Sequence, residues 1–413
     1  MADYFREQSG GRLNLQFDIY GPFKINKTAG GHGANYYGHD GLESAIEQLR
    51  KSETTNFSVY DWNGDGRVNQ LLLVTAGYSG DQVRGYTYPH STYFPEKLPG
   101  DIPLFFASVT CELWRDGSLY GWGTIAHEFC HCLGLPDIYP MSPASPFSTV
   151  DEWDLMDGGN YINKGWCPPN FSAMEKMCMK WDTPEELTRP TSVTGMKPVS
   201  AGGKCYIIRN EANSQEYYLL ENRQQEGWDY GCPSNGLLIY HVDYDGGAWR
   251  FNKVNNDDTH FRYDLFHADG KSYCDWDPNN NGKDPNKYTM PDAIRSSYLS
   301  TSPYPYTNPT TLAVNNSLTD ESLPAATLFT PAADGRKFMG KAITNIRQSA
   351  DGTISFDFMM DSESGVITAS AFDESDAWYT IDGRRLPGRP TARGLYIRRP
   401  ALGGSGKKIV RIH

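Results

Sequence analysis

His127-Glu128-Phe129-Cys130-His131-Cys132-Leu133-Gly134-Leu135-Pro136-Asp137 reads as the end of a helix followed by a sharp turn. Histidines four apart lie on one helical face, about 6 Å apart along the axis. Both imidazoles can therefore reach one zinc ion. Glu128 follows the first histidine, so its carboxylate projects beside the metal without binding it, placed to take a proton from water. Gly134 permits the chain to turn back, and Asp137 arrives as a third ligand or, on the plainer reading, as an acid capping the turn after Pro136. His-Glu-x-x-His alone arises by accident in roughly a few per cent of chains this long. The glycine and acid at fixed offsets make an accident far rarer.

Outward from this stretch, Trp153-Asp154-Leu155-Met156-Asp157-Gly158-Gly159 follows nineteen residues after Asp137 (counted to Met156). A methionine before a tight glycine turn suits the floor of a metzincin-like metal site, with Gly134 and Met156 in structural roles. Tyr161 is a candidate donor to the oxyanion formed when a carbonyl is attacked, with plain packing as the alternative. Glu221 and His241 are residual ligand candidates that better suit hydrogen bonding within β-structure. Asp61-Trp62-Asn63-Gly64-Asp65-Gly66-Arg67-Val68-Asn69 offers oxygens from Asp61, Asn63, Asp65 and Asn69 and a carbonyl from Arg67, as the first nine residues of an EF-hand-like calcium loop do. Leu72 stands where the bidentate glutamate belongs, so a glycine-rich turn without an ion is the competing reading.

At 413 residues, two or three domains are expected. Fifty acidic against 38 basic residues give a net charge of −12, which disfavours phosphate backbones and anionic lipid as partners. No apolar run reaches the length of a membrane span. The eight cysteines contain no C-x-x-C pair, which excludes zinc ribbons and thioredoxin-like motifs. Cys130 and Cys132 suit small core positions.

The first 180 residues alternate strand-like and helix-like segments. Leu13 to Tyr20 alternates as a half-buried strand should. Asp40 can cap a helix burying Leu42, Ala45, Ile46 and Leu49. Val68 to Ala76 reads as a central strand buried on both sides, and Pro103 to Thr110 as another strand. The metal helix is expected over Trp122 to Leu133, and Ser172 with Glu175 forms a capping-box pattern. Beyond Trp181, short β segments recur at Cys205–Arg209, Tyr217–Glu221, Gly236–Val242, His260–Phe266, Ile343–Ile346 and Ile354–Met359, with an irregular insertion over 276–318. Strand pairs near Trp378–Ile381, Gly394–Ile397 and Lys408–Ile412 close the chain. The fold expected is an α+β zincin (metzincin-like) catalytic domain over 1–182, an all-β sandwich or jelly-roll domain over 183–362, and a small β-rich C-terminal tail over 363–413.

Taken in order, Asp3-Tyr4-Phe5 to Gly21-Pro22, Tyr60 to Gly66, His127 to Tyr139, Trp153 to Met156, Trp166 to Trp181, Tyr218 to Arg223 and Gly236 to Asp243 resemble the M6 family of metallopeptidases, the immune inhibitor A type, over about residues 1–270. The resemblance implies a secreted zinc endopeptidase made as a zymogen, acting on protein or peptide substrates. It opens at the catalytic domain, so a signal and propeptide are expected to have been removed, and a monomer is expected. Cys130 and Cys132 depart from the family's usual small or polar residues. Tyr379 to Arg385 and Gly394 to Ile397 resemble the C-terminal tails of type IX secretion and surface delivery. Two rivals stand beside the endopeptidase. A catalytically silent extracellular binding or adhesion module would have no reason to keep Glu128. A deformylase-like hydrolase would lack Gly134, Asp137 and the Met156 turn.

Overall fold

The computed structural model describes residues 1–24, 36–52, 55–142, 148–276 and 292–360, and four strands within 377–412. It is a mixed α/β protein with several sheets and few helices. Residues 1–360 form one compact unit and 361–413 a second. The expected division at 182/183 falls inside the first unit.

Helix α1 (Ala2–Gln8) buries Tyr4 and Phe5 completely. Helix α2 (Tyr36–Ser52) buries Leu42, Ala45, Ile46 and Leu49 as their spacing requires, and runs through Asp40 rather than starting there. Strands β1 (Val68–Tyr78), β2 (His90–Tyr93) and β3 (Leu104–Leu113) form a sheet in the order β1-β3-β2, with β1 parallel to β3. Here the structure corrects two expectations. Among the described residues β3 is the central strand and β1 an edge, with Val74 55% exposed; an apolar run signals a strand but not its place in the sheet. Leu13 to Tyr20 forms no strand at all. Leu13 and Leu15 pack at the edge of one core and Tyr20 at another, while Ile19 is 93% exposed, and Arg12 ties the segment to the carbonyls of Lys180 and Trp181.

Helix α3 (Gly123–Cys132) is the expected metal helix, with Trp122 and Leu133 flanking it. The capping box of Ser172 and Glu175 starts α4 (Ala173–Cys178). The second half of the first unit carries a five-stranded sheet, β4 (Glu185–Glu186), β6 (Tyr206–Arg209), β7 (Glu216–Arg223), β8 (Gly236–Asp243) and β9 (Tyr263–Leu265), in that spatial order. A three-stranded sheet joins β5 (Thr191–Met196) to the hairpin β12 (Ile343–Gln348) and β13 (Ile354–Phe358), and Tyr306–Thr307 (β10) pairs with Val314–Asn315 (β11). Within the expected 276–318 insertion, residues 292–300 are helical, and 277–291 lie outside the described residues.

Every residue of β7 and β8 is buried, because both faces of this sheet are covered. Tyr217, Leu219, Leu238 and Tyr240 join Tyr4, Phe5, Phe129, Trp153 and Met156 in one core. Their alternates Tyr218, Leu220, Leu237 and Ile239 join Val193, Ile343, Ile354 and Phe356 in another. The metal helix therefore rests on a core continuous with the five-stranded sheet. The second unit contains β14 (Ala377–Thr380), β15 (Arg385–Leu386), β16 (Gly394–Arg399) and β17 (Lys408–Ile412), ordered β15-β14-β16-β17. The linker at 361–365 and the turn at Asp382-Gly383 lie outside the described residues.

Candidate metal centre

His127 and His131 leave one face of α3, as their spacing dictates. Asp137 meets them from the turn: its Oδ1 lies 3.0 Å from His127 Nε2 and 3.3 Å from His131 Nε2. The three are the only such convergence of His, Cys, Asp or Glu among the described residues. Gly134 makes the return possible with φ +98°, a backbone that side chains rarely adopt. The amides of Gly134 and Leu135 close the helix end on the carbonyls of His131 and Cys130.

The other ring nitrogens fix the imidazoles. His127 Nδ1 lies 2.9 Å from the Leu155 carbonyl and His131 Nδ1 2.8 Å from that of Leu135. A carbonyl only accepts, so each Nδ1 carries hydrogen and each Nε2 is the nitrogen that faces the common point. Two imidazoles, one carboxylate and a backbone acceptor behind each ring form a group that could hold a metal ion. Among themselves the three groups favour an ion pair. Burial opposes the charged form of His127, but the Asp137 hydrogen bond and charge outweigh it and hold the imidazole up at about 9. Burial likewise opposes ionised Asp137, yet the two histidines keep it well below the usual carboxylate range.

Met156 lies buried in the core next to this site. Its turn grips both ligand-bearing segments: the Leu155 carbonyl takes His127, and the Met156 carbonyl accepts the amide of Ile138, which follows Asp137. The buried carboxylate of Asp154 shapes the turn by accepting the Met156 amide at 2.9 Å and the Ser172 hydroxyl at 2.8 Å.

Glu128 is buried, and the Ser91 hydroxyl lies 2.7 Å from its Oε2. Ser91 also lies 2.6 Å from Ser108 Oγ, which accepts from Gln70 at 2.6 Å. Three strands of the first sheet thus contribute to a chain of hydrogen bonds ending at Glu128. Tyr161 is half-buried with its hydroxyl turned to Asp81, which also accepts from Tyr120 at 3.0 Å. Burial first and Asp81 second push the Tyr161 phenol well up. Sequence reasoning missed two other tyrosines here. Tyr139 stacks over His127 with ring centroids 6.2 Å apart. Tyr88 is 42% exposed and feels the charges of Asp81, Glu128 and Asp137. Tyr139 follows the ligand turn directly, but nothing local to Tyr88 marks it.

Glu221 and His241 are placed elsewhere. Glu221 accepts from Arg223, Tyr240 and the Ala173 amide, and His241 contacts Glu216 at 2.9 Å. In the 61–69 loop, Asp61 accepts the amides of Gly64, Asp65 and Gly66, Asp65 that of Arg67, and Asn69 that of Trp62, while Asn63 Oδ1 takes the Asp65 amide. The turn is satisfied internally, and Trp62 packs on Phe129 behind the metal helix. Cys130 is a core residue, and the seven described cysteines are free thiols.

Comparison with known proteins falls on the same segment. The model for the immune inhibitor A peptidase M6 catalytic domain matches residues 115–183. Immune inhibitor A of Bacillus thuringiensis subsp. alesti is 26% identical over 212 residues, covering 42% of this chain and 30% of that protein. The pre-pro-metalloprotease PrtV of Vibrio cholerae serotype O1 (strain M66-2) is 23% identical over 230 residues, covering 46% of this chain and 25% of that protein. The matched stretches thus span under a third of either relative's length. The family match lies on the helix and turn that gather His127, His131 and Asp137, and over that segment the chain is similar to the M6 metallopeptidases.

Proposed function

We propose that this chain is a zinc endopeptidase that hydrolyses peptide bonds with Glu128 as general base. One observation carries the reading: two Nε2 atoms and Asp137 Oδ1 converge while a carbonyl backs each ring and the Glu128 carboxylate stands one residue from His127. Two nitrogens and one oxygen suit zinc and leave a fourth position open. Zinc bound there supplies Lewis acidity to a water and to the scissile carbonyl. Glu128, oriented by Ser91, takes the proton of the attacking water and returns it to the leaving amine. Tyr88 and Tyr139 join Tyr161 as phenols near the site, and donation from one of them to the developing oxyanion is part of the proposal.

The helix and Met156 turn fit a zincin-like arrangement. Calcium in the 61–69 loop has no part in the proposed reaction. No helix among the described residues is long and apolar enough to cross a membrane. Secretion and synthesis as a precursor are extended to this chain from the family resemblance and from the name of the Vibrio relative.

The test pairs metal analysis with cleavage of casein. Wild type is expected to hold one zinc per chain and cleave. Glu128→Gln should retain that zinc and lose about 10²–10⁴-fold in kcat/KM. Unchanged cleavage by this variant would place catalysis elsewhere; cleavage-competent protein without metal would end the zinc reading.

A further inference from the structure

Asp137 is held from behind by a residue 115 positions away in sequence. Asn252 Nδ2 donates to Asp137 Oδ2 at 2.7 Å, and Asn252 Oδ1 accepts the Asp137 backbone amide at 2.6 Å. One planar amide therefore meets both the side chain and the main chain of the same residue. The consequence is directional: Oδ2 is taken, and Oδ1 is the oxygen that faces both histidines.

We propose that Asn252 is a positioning residue for the metal, clasping Asp137 so that Oδ1 alone is presented as ligand. The inference rests on the metal-site reading above. Asn252 follows the short helix α5 (Gly246–Arg250) and sits at φ +55°, a left-handed conformation that asparagine tolerates better than other side chains. That conformation aims the side-chain amide at Asp137 while the next residue, Lys253, returns its amide to the Ala248 carbonyl. The clasp is one of three. Asn255 Nδ2 donates to the Ile138 carbonyl at 3.1 Å, and Asn256 Oδ1 accepts the Met141 amide at 2.7 Å. Residues 252–256 thus grip the ligand segment much as a neighbouring strand would, through side-chain amides rather than main chain. Only Asn252 touches a ligand atom.

Outer hydrogen bonds of this kind orient metal ligands, and their loss weakens affinity by about ten- to a hundredfold. The three contacts can be separated. Asn252→Asp keeps size and shape and an oxygen for the Asp137 amide, but replaces the donor to Oδ2 with a second carboxylate. Asn256→Ala loosens the same segment without touching Asp137. Zinc affinity of the full chain, measured by chelator competition in stripped and reloaded protein, reads both. Asn252→Asp is expected to weaken zinc by about ten- to a hundredfold, and Asn256→Ala by less than about threefold. Asn252→Asp within about twofold of wild type would overturn the clasp while leaving the metal site standing. An equal loss in both variants would also overturn it, since loop anchoring would then suffice. A wild-type chain with no affinity for zinc would remove the metal-site reading and the clasp with it.

Discussion

At Gly134 the backbone φ of +98° lies outside the range that side chains readily adopt, yet a Cβ there would meet nothing within 4 Å. The demand is conformational, not spatial. Gly134→Ala is therefore expected to lose about 1–2 kcal/mol of stability, measured by denaturant unfolding, and to weaken zinc binding because the turn carries Asp137 back to the histidines. A variant as stable as wild type would mean that the turn relaxes to another conformation without cost. Much at this scale was legible beforehand. His127 and His131 lie four apart within the helix Gly123–Cys132, so helical spacing brings them to one face, while Asp137, beyond the helix end, stood between a ligand and a turn cap. Asn252 and Ser91 were not legible, because each reaches the site through the fold from a segment with no pattern of its own.

Among the elements, α4 shows how a local signal becomes part of the site. Ser172 Oγ accepts the Glu175 amide at 3.2 Å and the Glu175 carboxylate accepts the Ser172 amide at 2.6 Å. The same hydroxyl donates to Asp154, whose other oxygen holds the Met156 amide. Ser172→Ala removes a cap, about 1 kcal/mol, and deprives a buried carboxylate of a donor, about 1–3 kcal/mol more. Ser172→Thr should recover most of the roughly 2–4 kcal/mol total by restoring the hydroxyl; equal losses in both variants would show that the hydroxyl is not what matters. The capping box, helix α3 and the β12–β13 hairpin were readable in sequence because each is decided within a few residues. Leu13 to Tyr20 and β1 were misjudged because burial depends on which distant surface arrives to cover a strand. The same limit applies to β7 and β8, whose burial on both faces needs two cores to meet across one sheet.

Over the whole first unit, stability is tied to pH through groups buried far from the metal helix. His267 is the clearest. Its Nδ1 lies 2.8 Å from Ser302 Oγ and its Nε2 2.6 Å from Tyr298 Oη, so a neutral ring satisfies both hydroxyls. Burial pushes its imidazole down to about 3. Below the unfolded value near 6.5, the unfolded chain binds a proton that the folded chain refuses, so this contribution is complete above about pH 6.5 and is lost as pH falls toward 3, by about 1.4 kcal/mol per unit. Asp264 works the opposite way. Burial raises its carboxyl to about 6, so its contribution is full below the ordinary aspartate range and fades as pH rises through 6. A single stability curve would mix the two. The difference between wild type and His267→Gln isolates the histidine, since Asp264 is common to both. Measured by denaturant unfolding from pH 7 to 4, wild type is expected to lose stability faster than His267→Gln by about 1.4 kcal/mol per pH unit below 6.5. Parallel curves would mean that His267 takes up its proton in the folded protein, which the two hydroxyl contacts and the buried ring argue against.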